Sequence, residues 1–93
     1  MRDCWLDPDG NVYYVEPFRH GDFATELIDL FFPDWELYDG CYVETLMMKG
    51  WVRYSTATEQ WCYGRDWGGW EIYSRPTGAQ RDMMFDLTGE IVE

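Results

Sequence analysis

Positive charge is scarce in this chain. Seven Lys and Arg stand against eighteen Asp and Glu, a formal net charge of −11 over 93 residues. Surfaces that hold nucleic-acid phosphates are basic, so the composition argues against direct nucleic-acid binding. Histidine occurs once, at position 20. A Ser-His-Asp or Cys-His arrangement would therefore have a single base to draw on, and no nucleophile elbow accompanies it. The three cysteines, Cys4, Cys41 and Cys62, are odd in number, far apart and free of C-x-x-C spacing. Neither a disulfide framework nor a paired zinc site is indicated. No stretch reaches the roughly 18 apolar residues of a membrane span, and the opening MRDCWLDPDG has no secretory apolar core. The expectation is a cytoplasmic chain with reduced thiols, no cofactor, no metal and no membrane contact, present as a monomer or homodimer.

Aromatics are what the chain has in abundance: six Trp, seven Tyr and five Phe. Each buries roughly 150–250 Å², which offsets the small core of a short chain. With 46% apolar residues the composition is that of a folded protein, and the length suits one domain spanning residues 1–93. Strands are expected at 4–6 and 12–15, joined by a turn at Asp7-Pro8-Asp9-Gly10-Asn11. Both faces of 12–15 are apolar or aromatic, which predicts a sheet covered at least partly on both sides. The periodicity predicts a helix over about 22–32, ended by Pro33, with Asp22 at its N-cap or in its first turn. Its apolar face would comprise Phe23, Leu27, Ile28, Leu30 and Phe31. A loop follows at 33–40, then a short helix over 41–49 ended by Gly50, although Tyr42 and Val43 also suit a strand. Strands are expected at 51–55, 60–63 and 70–73. Thr77 and Gln80 form a capping box for a last helix that runs to about Leu87 and is closed by Gly89. Ala79, Met83, Met84 and Leu87 would be its buried stripe, and Asp82 and Asp86 its outer acidic pair. The order of elements predicts an α+β fold: a small, mostly antiparallel sheet of four or five strands with two or three helices packed on it.

Several residue groups invite a chemical reading. Asp7, Asp9 and Asn11 match the first half of a calcium loop, but Val12 and Phe18 occupy the positions that need Gly and Glu, and a hairpin turn explains the same residues. His20 with the three cysteines lacks zinc spacing; the cysteines read as small buried side chains, and His20 is placed to help cap the first helix. Trp61, Trp67, Trp70 and Tyr73 could offer a stacking platform for a sugar, or could fill the core. Acidic residues are numerous, but nothing marks a catalytic pair. The expectation is a protein that is not an enzyme.

Charge is unevenly placed. Residues 1–44 carry eleven acidic and two basic residues, and 45–93 carry seven and five. On the first helix Asp22, Glu26 and Asp29 fall within about 60° of one another, a ridge about 10 Å long. That is close to three phosphate steps of about 3.4 Å along one DNA strand, so nucleic-acid mimicry is geometrically feasible. The ridge lacks the interleaved Lys or Arg that support ordinary helix faces. Asp34, Glu36 and Asp39 would extend it, with Trp35 and Tyr38 as apolar anchors. Acidity that serves solubility alone is the plainer explanation of the same charge.

The short length, the charge, and the segments WLDPDGNVYYV (5–15), GWVRYS (50–55) and TGAQRDMMFDLTG (77–89) resemble small acidic inhibitors encoded by phages and prophages, of the anti-CRISPR and anti-defence type. The resemblance implies an inhibitor that occupies the basic nucleic-acid groove of a host defence nuclease complex, such as a CRISPR effector nuclease, inside the bacterial cell. The partner-binding residues expected on the acidic surface are Asp22, Glu26, Asp29, Asp34, Trp35, Glu36, Tyr38 and Asp39. The alternative is a structural or regulatory interaction module whose contact is an aromatic patch.

Overall fold

Two short strands, β1 (Cys4–Leu6) and β2 (Val12–Tyr14), pair antiparallel with Cys4 opposite Tyr14 and Leu6 opposite Val12. The computed structural model describes residues 2–16, 20–33, 42–63, 66–67, 70–71 and 75–92, with the backbone alone described for 20–22, 44, 66–67 and 70–71. After β2 come α1 (His20–Phe31) and α2 (Tyr42–Met48). The chain then returns to the sheet as β3 (Val52–Ser55) and β4 (Gln60–Cys62). β3 lies beside β1, so the antiparallel order is β2-β1-β3-β4, with β1 and β3 at the centre. A separate two-stranded ladder, β5 (Asp66–Trp67) and β6 (Trp70–Glu71), follows, and α3 (Gly78–Thr88) is the last helix. The fold is α+β.

Side-chain alternation divides the core into two halves, one on each face of the sheet. Trp5 and Trp51 point to the face covered by α1 and α2, where Val15, Ala24, Leu27, Ile28, Leu46 and Met47 complete a buried cluster. Cys4, Leu6, Val52, Tyr54 and Trp61 point to the other face and meet Met84 of α3. All three β1 residues are buried because that strand is central and covered on both sides. The sheet is thus the middle layer of three, as the two apolar faces of 12–15 predicted.

Local chemistry accounts for most helix ends. α2 closes in a Schellman arrangement: Trp51 N–H donates to the Leu46 carbonyl and Gly50 N–H to that of Met47, with Gly50 at φ +91°. That conformation is why glycine stands at position 50. At α3 the capping box is complete, and Gly89 ends the helix in the left-handed region.

Four expectations need correction. α1 begins at His20, two residues before the expected start at Asp22, and Asp22 lies in its first turn, one of the two places expected for it. Leu30 is 71% exposed and Phe31 41%, so neither is a core residue. The buried stripe runs through Ala24, Leu27 and Ile28, and at about 100° per residue Leu30 falls beyond its edge, next to the acidic ridge. On α3, Ala79 is exposed and Gln80 fully buried, because the capping glutamine turns inward and shifts the stripe by one position. Finally, 66–71 is a hairpin of its own rather than a connection between strands at 60–63 and 70–73. The loop at 34–40 and residues 41 and 72–73 lie outside the described residues.

Candidate interaction surface

The turn that joins β1 to β2 is the polar centre of the molecule. Asp7 is buried, and its carboxylate accepts hydrogen bonds from the backbone N–H of Asp9 (3.0 Å) and Asn11 (2.9 Å), from Asn11 Nδ2 (2.9 Å) and from the Tyr13 hydroxyl (3.0 Å). Burial pushes the Asp7 carboxyl up, but these four donors outweigh it and hold the group below the usual carboxylate range. Burial, the bond to Asp7 and the charges of Asp7 and Asp9 push the Tyr13 phenol up. Both Asp7 oxygens are engaged by protein donors, so this is a closed turn and not the start of a calcium loop.

α3 is pinned to the same turn. Gln80 Nε2 donates to the carbonyls of Gly50 (2.8 Å), Asp7 (3.0 Å) and, more weakly, Leu6 (3.4 Å). Thr77 Oγ1 donates to the Pro8 carbonyl (2.7 Å) and accepts from Gln80 N–H (3.1 Å). Gly10 sits at φ +84°, and a Cβ there would lie 2.8 Å from the Ala79 carbonyl oxygen, so no larger residue fits between turn and helix. At its other end α3 is held by Trp61, whose Nε1 donates to Thr88 Oγ1 (3.0 Å). Trp61 is buried and packs against Tyr54 with ring centroids 5.0 Å apart and planes tilted by 60°, which takes it out of any stacking platform. Trp67 and Trp70 are register partners in the small ladder; their side chains and Tyr73 lie outside the described residues.

Cys4 is fully buried on the α3 face, and burial first, then the nearby Asp3 charge, push its thiol up to about 11. Cys62 packs against the opposite face, so these two cysteines cannot bind one metal ion. Cys41 and the His20 side chain are outside the described residues.

Glu26 and Asp29 are exposed on α1, on the side away from Ala24, Leu27 and Ile28. Leu30 stands one helical turn beyond Glu26 and beside Asp29, so an uncovered apolar side chain borders the acidic ridge. Asp22 has its backbone in α1 and its side chain undescribed; Asp34, Trp35, Glu36, Tyr38 and Asp39 are outside the described residues. Where α1 ends, a pocket of about 300 Å³ opens between Pro8, Asp9, Phe31, Phe32, Lys49 and Trp51. Trp51 is its floor, with Phe31 at 5.3 Å and Phe32 at 6.4 Å between ring centroids. Lys49 Nζ lies 4.5 Å from the centre of the Phe32 ring.

Comparison with protein-family models, with curated proteins and with solved structures finds no match to this chain. Function must therefore be argued from the surface itself.

Sequence reasoning missed the pocket because its walls come from three separate segments: the β1–β2 turn, the end of α1 and the end of α2. One signal was present. Leu30, Phe31 and Phe32 are three consecutive apolar residues at a helix end, more than one helix face can bury. On the far side of the sheet, α3 has an acidic outer face of its own with Phe85 51% exposed, and Ile91 in the segment after the helix is 79% exposed. No described helix is long and apolar enough to cross a membrane.

Proposed function

We propose that this protein is a non-enzymatic, acidic binding domain that inhibits by occupying a basic, nucleic-acid-binding surface of another protein, in the manner of phage-encoded inhibitors of defence nucleases. The observation that carries the reading is the end of α1, where exposed Asp29 adjoins exposed Leu30 and Phe31 within the chain's more acidic half. Carboxylates beside uncovered apolar side chains are what a basic, partly apolar groove would receive. Long-range attraction speeds the encounter and weakens with salt, while the apolar contacts slow dissociation.

The test is guide-directed DNA cleavage by a panel of CRISPR effector nucleases, measured with and without this protein over a salt series. Inhibition that fades as salt rises is expected, and Glu26→Lys/Asp29→Lys should abolish it while keeping the helical signal. Absence of inhibition across the panel, or inhibition indifferent to charge reversal, overturns the reading. The exposed Phe85 and Ile91 support a second reading, an interaction module that docks through the α3 face. Its binding would be flat with salt and lost in Phe85→Asp.

A further inference from the structure

We propose that the pocket at the end of α1 is a receptor for one arginine side chain of the partner, which rests on the reading of this protein as a binder of basic surfaces. Three features converge there. The walls are aromatic: Phe31 and Phe32 flank Trp51, and Phe31 is 41% exposed, so ring surface is open to a ligand. A cation over an aromatic face is attracted by the ring quadrupole. The electrostatic setting also favours positive charge. The exposed carboxylate of Asp9 stands at the rim, and the C-terminal end of α1, with no basic residue in its last turn, directs its partial negative charge to the same place.

The third feature is Lys49, which already performs the proposed interaction within the chain. It is the only lysine in the sequence, and its ammonium lies 4.5 Å from the Phe32 ring centre. Its backbone directly follows α2 and is held by N–H bonds to the Thr45 and Leu46 carbonyls, while its side chain is exposed, so the ammonium can leave the ring without disturbing the fold. Lys49 thus marks the ring as a cation site and competes for it. Arginine is the better occupant: its planar guanidinium stacks on a ring, sheds water more readily than an ammonium, and can pair with the Asp9 carboxylate through its edge.

The experiment is an NMR titration of the 93-residue chain with the blocked tripeptide Gly-Arg-Gly, beside the same peptide with citrulline in place of arginine. The arginine peptide should shift the amide signals of Phe31, Phe32, Lys49 and Gly50 together, and the citrulline peptide should not. Lys49→Ala should tighten binding about threefold or more by removing the competitor, and Asp9→Asn should weaken it by a similar factor. Arg81→Ala changes the net charge as Lys49→Ala does but lies on α3, so it should leave the affinity unchanged. Equal shifts with citrulline, shifts spread over every acidic face, or equal tightening by Arg81→Ala would overturn the proposal. Loss of the pocket effect with retained, salt-sensitive inhibition would remove this arginine site alone; loss of inhibition with an intact pocket effect would remove the broader reading.

Discussion

The two helical layers are attached to the sheet by different physics. α1 and α2 rest on a broad apolar cluster in which Ala24, Ile28, Leu46 and Met47 are wholly buried around Trp5 and Trp51. α3 buries one apolar residue completely, Met84, and a glutamine beside it. Its attachment depends on directed bonds at both ends: Gln80 and Thr77 to the β1–β2 turn, Thr88 to Trp61. Apolar contact tolerates sliding and repacking, whereas a hydrogen-bonded amide fixes position. The α1 layer therefore supplies stability, and the α3 layer supplies register between the turn, the sheet and the last helix.

The contrast can be broken from either side. The largest effect is expected on the α1 face: Ile28→Ala leaves a cavity in a fully buried site and should cost roughly 2–5 kcal/mol by urea denaturation. Next, Gln80→Leu keeps the volume but leaves the Gly50 and Asp7 carbonyls without that donor, a loss of roughly 2–3 kcal/mol. Thr77→Ala should add less than its separate effect once Gln80 is changed, because the two side chains cap each other. A cost of only a few tenths for Gln80→Leu would show that Met84 packing alone holds α3, and the contrast would fail.

The smallest effect is the pH response of the turn. The folded Asp7 carboxyl titrates below its unfolded value, so its contribution is complete above the unfolded carboxylate pKa of about 3.9 and is lost as pH falls through the lower folded value. Tyr13 has the opposite sign. Its folded value is raised, so its contribution is complete below the unfolded phenol pKa of about 10 and is lost as pH rises through the folded one. Asp7→Asn should be less stable at neutral pH and should flatten the acid limb of a stability-versus-pH curve. A variant that keeps the wild-type slope below pH 4 would place the titrating group elsewhere.

Local signals made much of this fold legible. The capping box at Thr77 and Gln80, Gly50 behind α2, the Pro-Asp-Gly turn and the two apolar faces of β2 each act within a few residues, and each appears in the structure where the sequence pattern placed it. A Gly-Gly pair between Trp67 and Trp70 was an equally local hairpin signal that the strand pattern at 70–73 obscured. The candidate surface was legible in part: Glu26 and Asp29 are exposed on the side of α1 that periodicity assigns them.

What sequence alone determined, then, is most of the elements, the signals that close α2 and α3, and the sign of the net charge, because these depend on neighbours within one or two turns of chain. Tertiary structure decided which apolar residues stay uncovered and which polar ones go inside. Leu30 is exposed because the sheet reaches only the stripe through Ala24, Leu27 and Ile28. Gln80 is buried because carbonyls from positions 7 and 50 converge on its amide. The pocket beneath Lys49 exists because the first turn and two helix ends, distant along the chain, meet around the single indole of Trp51.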